Sequence, residues 1–336
     1  MATIELRPLS LGELLDNTFS YYRKYFFLFV GIMALPQVLM VTISVAVQRL
    51  RLTAPIRPAK DPTQVFAQFP AFITGLVITA VIFMVATIFV YSLVHGATAY
   101  ALSEVHLGRP TTIANAFRSL RGKVWKLLDG VVSVILRIVG VFFLMMSAVG
   151  VSVGLIGAVS GLGKPDPVLI LLLGFFMIVA MLATAVLGCF LMMRYALVIP
   201  ALVLENITAR QAIKRSVTLV KGNFWRIFLI FTLMYLISMS AVALLQGPFW
   251  VAMFVIGIKN GVMPLWLSLP MTITGGIGGA VSGPLMVIAL TLLYFDARVR
   301  KEGFDLQLMM ANLHQDTAAP AMPPAMAPAV PQEPAV

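Results

Sequence analysis

The side chains that could do chemistry are few and scattered. Three histidines (His95, His106 and His314) and the single cysteine, Cys189, lie far apart along the chain. None of their spacings is that of a metal site, so no metal is expected. A lone cysteine also excludes an intrachain disulfide. Glu104 and Glu205 stand at the edges of apolar runs, and neither has a second carboxylate at a spacing suited to acid–base work. Both are expected to cap a helix or pair with nearby basic residues. The phosphate-loop pattern GxxxxGK[ST], the GxSxG elbow and the HExxH zinc motif are all missing from the sequence. The residue types therefore predict no catalytic constellation, no cofactor and no enzyme.

Composition explains why reactive side chains are so sparse. Of 336 residues, 60% are hydrophobic and only 11% are charged, where a soluble domain carries about 25% charged residues. The mean hydropathy is +0.98. A single soluble core cannot absorb so much apolar side chain, so lipid must cover most of it. The net charge of +11 could suit a nucleic acid, but the basic residues flank apolar runs. Anionic lipid headgroups are the better partner, and no nucleic acid is expected.

A helix rises about 1.5 Å per residue, so a hydrocarbon core of roughly 30 Å takes about 20 residues. Six stretches meet that length: 25–47, 71–94, 131–159, 168–193, 227–246 and 266–295. The predicted fold is an all-α integral membrane protein of about six transmembrane helices. Phe249–Ile258 is apolar but too short to cross, and Gly247-Pro248 precedes it. It reads as a bent extension of the fifth span or as a re-entrant piece. No cleavable signal peptide is evident, so the first span is expected to serve as a retained targeting signal.

Orientation follows from the lysines and arginines. Seventeen lie in the N-terminus, the second and fourth loops and the C-terminus, against six in the first, third and fifth loops. Both termini are therefore expected on the cytoplasmic side of the membrane. Arg137 is the one basic residue clearly inside a span. It lies seven residues past Gly130, or roughly 10 Å in, from where its stem can snorkel back to the headgroups.

Three segments before spans one, three and five look alike. The first runs from Ser10 to Glu13 and on through Leu14, Leu15, Thr18, Phe19 and Tyr22, with Leu11 on the same face. The second carries Ile113, Ala116, Phe117 and Leu120, and the third Ala209, Ala212, Ile213, Ser216, Val217 and Val220. All have helical spacing, with polar residues opposite. Ser10-x-x-Glu13 and Thr208-x-x-Gln211 both read as capping boxes. Arg121-Gly-Lys-Val-Trp-Lys126 parallels Lys221-Gly-Asn-Phe-Trp-Arg226. In each, glycine can close the helix in a left-handed conformation, and Trp with a basic residue then meets the headgroups. The unit is an amphipathic cytoplasmic helix plus a membrane hairpin, used three times over approximately 1–100, 101–200 and 201–305, and an axis along the membrane normal could relate the copies. The membrane domain covers 1–305, and the Pro/Ala-rich tail 306–336 is expected to be disordered.

These signals nominate Trp125, Lys126, Arg137, Trp225 and Arg226 as lipid contacts. Gly150-x3-Gly154-x3-Ala158 and Gly275-x3-Gly279-x3-Gly283 are small-residue ridges that let helices approach closely, and spans three and six could meet there. The alternative for the second ridge, with Pro284, is a hinge or a pathway.

Leu9-Ser-Leu-Gly-Glu-Leu-Leu-Asp16 resembles the start of bacterial proteins with the membrane domain of glycerophosphoryl diester phosphodiesterase. So do Pro200-Ala-Leu-Val-Leu-Glu205, Ala212-Ile-Lys-Arg-Ser216 with Lys221-Gly-Asn-Phe-Trp225, and Tyr294-Phe-Asp-Ala-Arg298 with Arg300–Asp305. The likeness extends over nearly all of the chain before the tail. It implies a multi-helix membrane module that in some relatives is fused to a soluble phosphodiesterase. That catalytic domain uses a His-Arg pair and a Glu/Asp metal site. This sequence has no His-Arg dipeptide, so no catalytic residue carries over. The function expected is a non-enzymatic module that anchors, scaffolds or regulates partners or envelope lipids through a basic cytoplasmic face. The alternative is a transporter or channel for a lipidic or small-molecule substrate. Against it, the spans lack intramembrane acids and the Pro-x-[Asp/Glu]-x-x-[Lys/Arg] signature of mitochondrial carriers.

Overall fold

A computed structural model describes residues 9–50, 62–161, 167–260 and 265–303. Among them are ten α-helices and no strand: α1 (Leu11–Lys24), α2 (Phe26–Leu50), α3 (Pro62–His106), α4 (Ile113–Arg118), α5 (Val124–Gly161), α6 (Pro167–Tyr195), α7 (Val198–Glu205), α8 (Ala209–Val220), α9 (Phe224–Asn260) and α10 (Leu265–Glu302). The six long ones, α2, α3, α5, α6, α9 and α10, are each long and apolar enough to cross a membrane. The chain is a multi-pass membrane protein. The tail 306–336 lies outside the described residues.

Every long helix outruns the stretch its hydropathy marks. α3 continues past residue 94 to His106, because Ala97, Ala99, Ala101 and Leu102 keep it buried in protein after it leaves the lipid-length stretch. Phe249–Ile258 belongs to α9, with Pro248 inside the helix. The bent extension, rather than the re-entrant piece, is the reading that fits this continuity. A helical proline needs only its own missing N–H and the carbonyl one turn back to be accommodated.

The helix ends follow local chemistry. Ser10 Oγ accepts from the Glu13 N–H at 3.2 Å, while Glu13 Oε2 accepts from the Ser10 N–H at 2.7 Å. Thr112 Oγ1 accepts from Asn115 N–H at 3.3 Å, and Gln211 Oε1 accepts from Thr208 N–H at 3.0 Å. Gly122 and Gly222 take φ values of +82° and +88°, the left-handed turn that side chains resist and glycine accepts freely.

The core gathers at one end of the bundle, the basic end, where the short helices sit. Leu14 of α1, Leu102 of α3, Ala116 of α4, Leu127 of α5, Leu202 of α7, Ile213 and Leu219 of α8, and Ile288 and Tyr294 of α10 form one buried cluster. The inner faces of α1, α4 and α8 are thus spent on protein contacts. The expected face of α1 needs one correction: Leu11 is 38% exposed, since it precedes the first turn that packs. Lipid-facing side chains elsewhere are bare, with Phe143 at 71%, Leu171 at 73% and Leu244 at 81% exposed.

α10 is the central helix. Of its most apolar stretch 67% is buried within the protein, against 0% for that of α5. Its glycines explain how. A Cβ on Gly276 would lie 2.7 Å from Val41 Cγ2, one on Gly279 3.0 Å from Gln37 Nε2, and one on Gly275 2.3 Å from Gln246 Nε2. The ridge therefore admits α2 on one side and α9 on the other. Spans three and six do not meet through these ridges. Gly150 and Gly154 have open space where a Cβ would stand, and the partners of the Gly275–Gly283 ridge are spans one and five. Sequence spacing shows that a ridge exists but not which helix fills it. Gln48 closes the same seam, accepting from Ser268 Oγ at 2.9 Å and donating to Thr272 Oγ1 at 3.2 Å.

Candidate functional site

The basic end carries nearly all the charge, and its cations divide into two sets. The first is held by three carboxylates. The Asp296 side chain is only 1% exposed, nearly two turns from the end of α10. Its oxygens face Arg226 Nη2 at 3.2 Å and Arg300 Nε at 3.0 Å, and Oδ1 accepts the Leu9 N–H at 2.8 Å. Arg226 and Arg300 each also donate to the Leu9 carbonyl at 2.5 Å. One buried carboxylate thus fixes the chain before α1, the start of α9 and the end of α10 together.

The second carboxylate, Glu205, ends α7. It accepts from Arg215 Nη2 at 2.9 Å and from the Tyr294 hydroxyl, and Arg298 Nε lies 3.6 Å away. The third, Glu302, accepts from Arg215 Nη2 at 2.6 Å and from Arg298 Nε at 3.3 Å. Burial pushes the Arg215 guanidinium toward losing its charge. Glu302 and Glu205 beside it pull harder the other way, so its pKa stands well above the ordinary value. This network is permanently charged on the cationic side, and it ties α7, α8 and α10. Glu205 pairing with basic residues is what its position before α8 suggests.

Other lysines close exposed helix ends. Lys301 Nζ donates to the Thr218 carbonyl at 2.6 Å and to that of Lys221. Lys123 Nζ donates to Val203 O at 3.2 Å. Asn206, the one non-glycine described residue at positive φ (52°), accepts from Lys126 Nζ at 3.3 Å.

The five nominated residues fall in different places. Trp125 and Trp225 are 81% and 72% exposed at the starts of α5 and α9. Lys126 is exposed, with its amine on Asn206. Arg137 is exposed on α5, and its Nη1 donates to the Ser133 carbonyl at 2.7 Å, turned back toward the basic end as a snorkelling side chain is. Arg226 stands apart from these four, since its guanidinium is 18% exposed and engaged by Asp296 and Leu9. The sequence signal for Trp125 and Trp225 is the basic-aromatic pair after glycine. The same signal marks Arg226, because it cannot see a carboxylate 70 positions later.

The second set of cations has no carboxylate partner among the described residues. Arg118, Arg121, Arg210, Lys214 and Lys221 are exposed around α4 and α8. Arg194 lies over the Phe190 ring at 5.9 Å. His106 is shared between two contacts: Nδ1 is 2.8 Å from the Tyr21 hydroxyl and the ring stacks on Phe295. His95 lies against Tyr91 within α3, with ring centroids 3.8 Å apart and the planes tilted by 33°. No group of three or more His, Cys, Asp and Glu side chains that could hold a metal is found among the described residues. What this end can do chemically is present fixed positive charge beside exposed indoles.

Residues 166–315 match the family of the membrane domain of glycerophosphoryl diester phosphodiesterase. The match takes in α6 to α10 and with them all three carboxylates. The Leu9–Asp16 segment, which also carries the resemblance, lies outside it. No curated protein and no solved structure matches the chain.

Proposed function

From the match of residues 166–315 to the membrane domain of glycerophosphoryl diester phosphodiesterase, we propose that this chain is a non-enzymatic membrane module that engages anionic lipid at its basic end. The observation that carries the reading is the division of the cations. Arg215, Arg226, Arg298 and Arg300 are paired with Glu205, Asp296 and Glu302. The exposed arginines and lysines around α4 and α8 have no carboxylate among the described residues, so the end keeps a positive excess. Each such charge near an anionic surface is worth about 1 kcal/mol. Trp125 and Trp225 suit the headgroup level, where an amphipathic ring is stable. Lys126 and Arg137 complete the set; Arg226 serves the fold. The basic end faces the cytoplasm on this reading, in a bacterial cell membrane, and the three units of short helix plus hairpin act as repeats. Through that face the module anchors, scaffolds or regulates.

The test uses the indoles as probes. The protein, with Trp250→Phe and Trp266→Phe, is reconstituted into vesicles of brominated phosphatidylcholine, which quench exposed tryptophan. Unbrominated phosphatidylglycerol should relieve the quenching at lower mole fraction than unbrominated phosphatidylcholine does, and Lys126→Ala should narrow the gap. Equal relief by both lipids contradicts the proposal. Transport of a lipidic substrate is the second reading, and the observation that favours it is an open apolar groove between α5, α6 and α9, walled by Ile138, Met181, Met192 and Phe231.

A further inference from the structure

A groove opens on the lipid side between α5, α6 and α9. Its larger part holds about 700 Å³ and is walled by Ile138, Phe142, Met181, Gly188, Met192 and Phe231, among others. A second part, about 320 Å³, shares Ile138, Met192 and Phe231 with it and reaches Tyr91, Tyr195 and Ile199. Met181, Met192 and Tyr235 are 67%, 50% and 48% exposed, so the groove is open along its outer side.

Three observations say what fills it. The walls are apolar, and the Thr184 hydroxyl is already spent on Ala180 O at 2.7 Å. Water has too few partners to stay in such a space, whereas hydrocarbon fits it. The groove also has the right length. From Met181 to Tyr195 α6 rises about 21 Å, somewhat more than the roughly 15 Å of one leaflet of hydrocarbon. Finally, two tyrosines line its end toward α7, and two arginines adjoin that lining in the chain. The hydroxyls of Tyr91 and Tyr195 have no hydrogen-bond partner among the described residues. Arg137, next to Ile138, and Arg194, between Met193 and Tyr195, face no carboxylate among them. A phosphate with its ester carbonyls complements that end.

We propose that this groove seats one acyl chain of an anionic phospholipid drawn from the leaflet at the basic end, with the headgroup beside Tyr91, Tyr195 and the two arginines. The inference rests on the lipid-engaging reading above and adds to it a defined place for the tail. Four methionines, Met146, Met181, Met192 and Met193, line the larger part. Their unbranched chains adapt to an occupant whose length varies.

The experiment is photolabelling of the full chain in vesicles of phosphatidylcholine and phosphatidylglycerol, with a trace of phosphatidylglycerol bearing a diazirine on its acyl chain. Adducts are mapped by peptide mass spectrometry. They should concentrate on 181–193 and 231–235. A Cβ at Gly188 meets nothing within 4 Å, so Gly188→Phe can fill the groove without displacing backbone. It should cut those adducts about tenfold, while Gly174→Phe, on the same helix outside the groove, should leave them unchanged. Adducts spread evenly over Phe143, Leu171 and the other lipid-facing residues of the wild-type protein overturn the groove and leave the headgroup reading standing. Equal groove labelling by a phosphatidylcholine probe overturns the anionic lipid as the groove's occupant, while the headgroup reading falls only if the quenching test also shows equal relief.

Discussion

Replacing Asp296 by Asn should be the most damaging single-charge change in the protein. The carboxylate is 1% exposed and faces two guanidinium groups, those of Arg226 and Arg300, that are 18% and 33% exposed. Removing one member of a buried pair costs roughly 3–5 kcal/mol, because the other charge is left without compensation. Two features lower that figure here. Asn can still accept the Leu9 N–H, and both arginines keep some water and the Leu9 carbonyl. A loss of about 3 kcal/mol is therefore expected. At roughly 2–4 °C per kcal/mol, that is a fall of about 6–12 °C in Tm. The assay is the thermal loss of monodisperse protein in detergent, read by size-exclusion chromatography after heating. Asp296→Asn combined with Arg226→Gln should be less damaging than the two single losses summed, since the second change removes the stranded charge. A Tm within about 2 °C of wild type for Asp296→Asn would mean that this carboxylate does not hold the three segments together.

Other outcomes follow from the same geometry. Gly222→Ala forces a side chain into φ +88° and should cost about 1–2 kcal/mol, seen as a lower Tm. Gly276→Val should destabilise through Val41, which lies 2.7 Å from the new Cβ, whereas Gly150→Ala should be neutral or gain up to about 1 kcal/mol of helix propensity; heating curves of the two variants compare them directly. Arg215 has a raised pKa, so its contribution is fully present below its ordinary value and lost only far into alkali; the Tm difference between wild type and Arg215→Gln should be flat from about pH 6 to 9. In a Cys189→Ala background, a cysteine at Lys214 should react with a membrane-impermeant maleimide only after the membrane is opened from the cytoplasmic side, and labelling of intact cells from outside would reverse the orientation.

Much of the fold was legible because it is written in local signals. Stretches of about 20 apolar residues mark the spans. Ser10-x-x-Glu13 marks the start of α1, and Gly122 and Gly222 mark the left-handed turns, all visible within a few residues. What escaped was long-range. Nothing near Gly275–Gly283 says whether α2, α5 or α9 fills the ridge, because any helix with a suitable side chain can. Arg226 reads locally as an interface anchor, and only the fold brings Asp296 to it. The apolar faces of α1, α4 and α8 fit a lipid surface and a protein core equally well by periodicity, and in the structure they pack on the bundle. The groove is invisible in sequence altogether, since its lining residues are indistinguishable from lipid-facing ones until six helices are set side by side.

On the proposed function, the basic end holds anionic lipid. Native mass spectrometry of the protein, released gently from its own membrane, tests it most directly. Retained anionic phospholipid, stripped more readily from a Trp125→Ala/Lys126→Ala/Trp225→Ala variant, is the predicted result. A lipid-free protein, or one that carries zwitterionic and anionic lipids in the proportions of the membrane, would contradict the account.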